Sequence, residues 1–287
     1  SVSAFLLNRS SDLAILLLAL AALTGQGQTF TPVVEDSIDF VITGKTTAQT
    51  DSVAWFKVAP FGGGTMKVPL TGGQFRVTDR LPRHTFIQIG DNAGNDLRFI
   101  VEETPTDINL VTGEVSGSDL QQRFIRCQMR ERDIDRVAEP WWDSLSDEEK
   151  DGIIDMRGGR LSNATAKDSA NFRKYEEFMG DRDALVRQNI RENKDNIIPS
   201  YYLFVDHSEL SYEQKREFMS EDAPYAHQPA MERPWKAYWG MLLQMNITGK
   251  PAPTSRPKLP TARRHHLLFR GKRSGEYWRL RHFRHQI

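Results

Sequence analysis

The sequence predicts an α+β protein: an N-terminal antiparallel β-sandwich or barrel, a helical region after it, and a disordered basic C-terminal tail. Three observations predict it. Short runs of alternating apolar and polar residues recur between Asp39 and Val111, parted by Gly, Pro, Asn and Asp, which is the pattern of a many-stranded antiparallel fold. After Gly117 the apolar spacing changes to the threes and fours of helices. From Ser255 to Ile287 ten Lys and Arg stand against one acid, Glu276. The 287 residues carry 38 basic and 38 acidic side chains, so a tail of +9 leaves −9 on the remainder. Hydrophobic residues at 39% and charged residues at 26% exclude a polytopic membrane protein and a wholly disordered chain. The single cysteine excludes an internal disulfide, a CxxC redox pair and a thiolate zinc cage. The expected division is a signal peptide over 1–28, a β domain over 36–116, a helical region over 117–247, and a linker and tail over 248–287.

The first element is a targeting segment. Leu13 to Leu23 reads LAILLLALAAL. As a helix it would rise roughly 16 Å, about half a bilayer core, too short to span but suited to the apolar stretch of a signal peptide. Arg9 precedes it, and small residues around Ala22 and Gly25 offer cleavage contexts. No Cys lies there, so the expected product is not a lipoprotein. Export to the periplasm or outer cell envelope is the localisation this predicts, with no stable membrane span once the signal is removed.

The strands follow. Phe40-Val41-Ile42 runs to Gly44, and Val53 to Val58 comes after a polar turn. Met66 to Leu70 alternates, and Gly72-Gly73 leads into Gln74 to Val77. Thr85 to Ile89, Leu97 to Val101 and Ile108 to Val111 complete the series. Alternation of this kind buries one face and wets the other. Gly62-Gly63-Gly64 lacks the GK[ST] ending and the helix of a phosphate loop, so it reads as a hairpin turn.

Helix starts are marked by capping boxes at Ser118-Gln121, Ser146-Glu149 and Ser211-Gln214. Leu120, Phe124, Cys127 and Ile134 share a face of the first helix, and Pro140 is expected to end it. Lys167 to Asn193 is a long polar-rich stretch carrying Phe172, Tyr175, Phe178, Leu185 and Ile190. Ile197 to Phe204 opens another helix with Pro199 in its first turn, and Trp235 to Met245 is the last.

No specific catalytic constellation emerges. Asp133 with Asp135, and Asp147, Glu148 and Glu149, read as solvated helix faces and a favourable N-terminal charge rather than paired catalytic carboxylates. Asp206-His207 has no accompanying nucleophile motif. Cys127, between two polar residues on an apolar stripe, reads as a small buried hydrophobe rather than a reactive thiol. Trp141-Trp142 is the one speculative binding feature: a stacking platform for a sugar, weighed against packing at a domain junction. Asn163 and Asn246 head weak glycosylation sequons. Catalytic, cofactor and metal sites are expected to be none.

From about Asp39 to Met245 the chain resembles a known family. The residues that carry the likeness are the Asp39-Phe40-Val41-Ile42-Thr43-Gly44 strand, the Gly73-Gln74-Phe75 strand start, Phe86-Ile87-Gln88-Ile89 and Phe99-Ile100-Val101-Glu102. Val115-Ser116-Gly117-Ser118 follows, then a helix with Leu120, Gln121 and Phe124, a charged helix, and Asn193 to Tyr201 before a final helical hairpin. In this order they resemble the domain of unknown function 4369, the N-terminal domain of exported thiol-disulfide oxidoreductases of Bacteroidetes. The resemblance implies a small β domain followed by helices, as the residues themselves do.

Full-length relatives continue through a linker resembling Gly249-Lys250-Pro251-Ala252-Pro253 into Asp-Phe and a thioredoxin fold carrying CxxC. Here the linker is present and the CxxC is not, so the resemblance implies a non-catalytic accessory or interaction domain, redox-inactive by itself. A shifted reading of the codons for the stretch after Pro253 permits D-F-A-A-Q-A-A-D-G-K-T-S-S-L, similar to the family's thioredoxin opening, so a frameshift is the leading expectation for the tail. Two alternatives are an acidic-surface or nucleic-acid binding tail, nucleic acid being the lesser expectation, and weak metal binding by His265, His266, His282 and His285. The expected partners are envelope proteins or peptides. The other function carried forward is a stand-alone envelope binding module for a peptide or glycan.

Overall fold

The computed structural model describes residues 29–47, 51–59, 64–159, 164–206 and 210–248. The expected signal peptide, Gly62-Gly63, His207, Asn163 and the basic tail lie outside the described residues. Two compact units divide the chain, Ser1–Thr31 and Pro32–Ile287, and every element below belongs to the second.

Among the described residues eight strands form two four-stranded sheets. The first has the order β4 (Gln74–Pro82), β1 (Ser37–Lys45), β7 (Thr106–Asn109), β8 (Val115–Ser116). The second runs β3 (Met66–Pro69), β2 (Ser52–Ala59), β5 (Phe86–Asp91), β6 (Asp96–Ile100). The inward faces meet in one core that includes Phe40, Ile42, Trp55, Phe75, Ile87 and Phe99. Across it the rings of Phe40 and Trp55 meet edge to face with centroids 6.0 Å apart, a favoured aromatic geometry. The fold is thus a β-sandwich followed by helices, an α+β chain. Gly72 and Gly73 turn β3 into β4 with φ of 60° and 77°, the left-handed pair a two-residue hairpin requires.

One pairing departs from the antiparallel pattern. β7 lies parallel to β1, with Ile42 opposite Thr106 and Gly44 opposite Ile108. The Thr43 hydroxyl helps fix it, donating to Asp107 Oδ1 at 2.8 Å. Gly44 is where the strands crowd: a Cβ there would meet Ile108 O at 2.3 Å and Phe75 Cζ at 2.7 Å. Gly44→Ala is therefore expected to destabilise the fold by about 1–3 kcal/mol through overpacking, read as a lower urea midpoint at unchanged slope.

Among the described residues six α-helices follow: α1 (Asp119–Asp143), α2 (Asp147–Arg157), α3 (Ala166–Glu192), α4 (Ile198–Asp206), α5 (Tyr212–Phe218) and α6 (Glu232–Thr248), with a 3₁₀ turn at Pro229–Met231. The boxes at Ser146 and Ser211 are complete, and Thr165 with Asp168 makes another. At Ser118 only half forms: Ser118 Oγ accepts from Gln121 N at 3.0 Å, while the Gln121 side chain accepts instead from Ile100 N at 2.9 Å. Pro140 does not end α1, which runs on to Asp143. The proline removes one donor in the final turn, and Ser144 N closes that turn on Pro140 O and Trp141 O, each at 3.2 Å.

The helices cover the outer face of the second sheet. Phe86, which points away from the sandwich core, packs on Phe124 of α1 and Tyr201 of α4 with centroids 5.6 and 5.4 Å away. The free edge of β6 is closed by side chains rather than by a strand. Gln128 Oε1 accepts from Arg98 N at 2.7 Å and Gln128 Nε2 donates to Arg98 O at 2.8 Å. Arg132 Nη2 donates to Asp96 O at 2.9 Å. With Gln121 on Ile100, three side chains of α1 serve alternate residues of β6, and an edge that could recruit another chain is covered. The outer face of the first sheet carries exposed charge, as in the Asp39–Arg80 pair at 3.3 Å, which adds little stability.

A strap precedes β1. Val33 N donates to His227 O at 2.8 Å and Arg83 N to Asp36 O at 3.0 Å. Between them Glu35 Oε1 lies 2.8 Å from His84 Nδ1 and accepts from Gln228 Nε2 at 3.0 Å. His84 has a left-handed conformation, φ 61°.

Candidate functional site

Two places carry chemistry-bearing side chains: the tryptophan pair singled out from the sequence, and a polar cluster inside the helix–sheet interface that the sequence did not disclose. The two tryptophans have different surroundings. Trp142 is buried with Leu145 and Ile153 where α1, α2 and α3 meet, and Trp141, Phe172 and Tyr175 pack around them. Its ring lies 6.1 Å from Tyr175. Trp141 is half-buried, its ring 5.5 Å from Phe178 of α3, with Lys174 Nζ 5.3 Å from its centroid. One turn earlier on the same face Val137 is 70% exposed. Trp142 is thus core, whereas Trp141, Phe178 and Val137 make a partly open apolar strip with a cation over it. Such a cation–ring contact contributes roughly 0.5–1 kcal/mol when exposed.

The second cluster centres on Glu131 of α1. Its carboxylate accepts from Tyr202 Oη at 2.5 Å and from Asn189 Nδ2 at 3.2 Å. Arg182 Nη2 is 4.0 Å away and reaches Asp135 with its other nitrogen at 3.8 Å. Burial pushes the Glu131 carboxyl above its ordinary range, against the opposing pull of Arg182 and the Tyr202 hydrogen bond. Burial likewise raises the phenols of Tyr201 and Tyr202. The preceding residue, Arg130, donates from Nη2 to Asn189 Oδ1 at 2.6 Å and to Glu192 Oε2 at 2.8 Å.

Cys127 sits beside this cluster, its Sγ 3.5 Å from both Arg130 Nη2 and Asn193 Nδ2. It is buried and free. Burial raises its pKa, with Arg130 pulling back less strongly, so the thiol is held protonated, the reverse of what thiolate chemistry needs. Asp133 pairs with Arg136 at 3.3 Å in the open. Asp135 joins the buried cluster instead of pairing with Asp133. Glu149 accepts from Lys167 at 2.8 Å and from Ser146 N at 2.7 Å, and the Lys167 contact above all brings its carboxyl down to about 2. It ties α2 to α3. Among the described residues no group of three or more His, Cys, Asp and Glu gathers where it could hold a metal ion, and no helix is long and apolar enough to cross a membrane.

No family model matches the chain, and no curated protein matches it either. The site must therefore be read from its own geometry.

Hydrophobic periodicity passed over the buried cluster because its members are polar. The signal was present all the same. Gln121, Phe124, Gln128, Glu131, Asp135, Ala138 and Trp142 recur at threes and fours along α1, the spacing of one helical face. Polar residues interleaved with Phe124 and Trp142 on that stripe mark a buried network rather than a wet surface. Most of its groups are committed to one another and to the backbone, while Gln121 Nε2, Arg130 Nε and Tyr201 Oη are buried without a hydrogen-bond partner. The chemistry the arrangement performs is to fix α1, α3 and α4 against β6.

Proposed function

We propose that this chain is a non-catalytic interaction domain of an exported thiol-disulfide oxidoreductase, one that precedes a thioredoxin fold and is redox-inactive by itself. One observation supports the reading: the residues that carry the resemblance sit where the fold has least freedom. Gly44 leaves no room for a Cβ, Gly73 has positive φ, and Phe86, Phe124 and Tyr201 join the sheet to the helices. Ser118 caps α1, and Asn193 donates to Asn189 O at 2.8 Å where α3 ends. With one cysteine, the chain has no resolving thiol for disulfide exchange of its own. Insulin reduction tests it. The expected rate equals the reductant-only background, and turnover by this chain overturns the reading. Resequencing past the codon for Pro253 gives a second test: a single-base change that restores Asp-Phe and a downstream CxxC supports it.

A second reading, an envelope module that binds a peptide or glycan, is favoured by the open strip at Trp141, Phe178 and Val137. The two tryptophans separate binding from folding. Trp142→Ala is expected to cost about 3–5 kcal/mol of stability, as for a large buried ring. Trp141→Ala should leave the melting temperature within a few degrees of the parent and abolish any ligand-induced change in tryptophan fluorescence. A fluorescence response that survives Trp141→Ala places the ligand elsewhere.

A further inference from the structure

An extended segment that crosses a protein surface ordinarily turns apolar side chains inward and charges out. The strap before β1 does the reverse. Val33 is 47% and Val34 94% exposed, while the Glu35 side chain goes in and is 13% exposed. Glu35 Oε1 takes both side-chain contacts, His84 Nδ1 at 2.8 Å and Gln228 Nε2 at 3.0 Å. Its Oε2 is buried without a hydrogen-bond partner. One carboxylate oxygen and two backbone hydrogen bonds thus hold the strap, with its valines left in water. The receiving groups are fixed by the body instead. His84 N donates to Val101 O at 2.8 Å, and Gln228 O accepts from Met231 N at 2.8 Å. Gln228 is 6% exposed. The left-handed backbone of His84 is uncommon outside glycine and of the kind that clusters at ligand clamps.

We propose that these groups form a binding site for an extended acidic peptide of a partner protein, and that the strap occupies it as a built-in competitor. The slot reads three features in a row. His227 O takes a backbone N–H, as it does from Val33 at 2.8 Å. His84 and Gln228 take the carboxylate of the residue two places on. Arg83 N donates to the carbonyl of the residue after that, as it does to Asp36 O at 3.0 Å. Main-chain contacts on either side of one side-chain pocket are how extended peptides are recognised: the backbone bonds give affinity and the pocket gives specificity. A peptide in trans remakes the contacts that the strap gives up. What favours the strap is its attachment, which keeps it at high effective concentration.

Amide hydrogen exchange on the full chain tests it, with two probes at matched pH and ionic strength: the end-blocked peptide Pro-Val-Val-Glu-Asp, and acetate. In the parent the peptide should displace the strap, so that the Val33 N–H exchanges faster as peptide is added. Unchanged exchange up to the solubility limit overturns the proposal. Glu35→Ala removes the competitor. Its Val33 N–H should exchange at least about tenfold faster than the parent's, the effect of losing one hydrogen bond to a charged group. The peptide should bind this variant at least about tenfold more tightly than the parent, since the slot is no longer taken. Equal affinity for the two would place the peptide elsewhere and overturn the proposal. Adding Gln228→Ala to Glu35→Ala removes half of the cradle and should weaken the peptide at least about tenfold; undiminished binding sinks the assignment. Acetate separates a peptide from a free acid. It should bind Glu35→Ala at least about tenfold more weakly than the peptide, for want of the two backbone contacts, and an equal affinity would overturn recognition of a peptide.

Discussion

Replacing Glu131 by alanine is expected to lower the unfolding free energy by about 3–5 kcal/mol, the usual cost of removing one partner from a buried ionic group. The carboxylate accepts from Tyr202 and Asn189 and faces Arg182. Without it the buried Tyr202 hydroxyl loses its acceptor, Asn189 Nδ2 keeps only Tyr202 Oη at 3.1 Å, and among the described residues the Arg182 guanidinium keeps Asp135 as its direct ion pair. Glu131→Gln should cost less, because the amide oxygen still accepts from Tyr202. The pair of variants also has a pH signature. Burial raises the folded-state pKa of Glu131 above 4.5, so folding favours the protonated form. The advantage of Glu over Gln at this position is then fully present below the unfolded value and shrinks as pH rises toward the folded one. Urea midpoints of parent and Glu131→Gln from pH 4 to pH 8 would show it. A gap that widens with pH would contradict the assignment.

Gln128→Ala is expected to strip β6 of its closure. The amide satisfies both the N–H and the C=O of Arg98. Leaving such a buried group unpaired costs about 1–3 kcal/mol, and here there are two. Gln128→Glu keeps the acceptor and loses the donor, so it should fall between the parent and alanine. Amide hydrogen exchange gives the local readout: the Arg98 N–H should exchange faster in Gln128→Ala, while that of Ile100, held by Gln121, changes less. Unchanged protection at Arg98 would mean that the edge is closed by something else.

The parts of the fold legible in the sequence are those written locally. Strand alternation is visible within four residues, as at Gln74 to Val77, where Phe75 and Val77 are buried and Gln74 and Arg76 exposed. Capping boxes at Ser146 and Ser211 need only four positions, because their hydrogen bonds span three residues. What stayed hidden depends on distant partners. The parallel match of β7 to β1 joins Gly44 to Ile108 across much of the sandwich, and no turn signal encodes it. Gln121 looked like a capping residue because its local role is real, but the Ile100 N–H, 21 residues away, takes its side chain. Asp135 read as another solvated acid because charge on a helix usually is, yet it faces the buried Arg182 at 3.8 Å. Pro140 was expected to stop a helix that tolerates it within its last turn. At the candidate site, the doublet Trp141-Trp142 was legible as aromatic but not as two different environments. Adjacent helix positions point about 100° apart, so one ring went to the core and the other stayed half-open.

The strap before β1 bears on the order of assembly. The hydrogen bond from Gln228 to Glu35 joins positions 193 residues apart, and Val33 meets His227 over a similar separation. Closing a loop costs entropy that grows with the logarithm of its length, so this contact forms cheaply only after the sandwich and the helices have brought its ends together. An interaction formed that late is absent from the folding transition state. Glu35→Ala should then quicken unfolding while leaving the folding rate as it was. The strap acts as a latch on a finished body, setting how long the native state lasts rather than how fast it is reached.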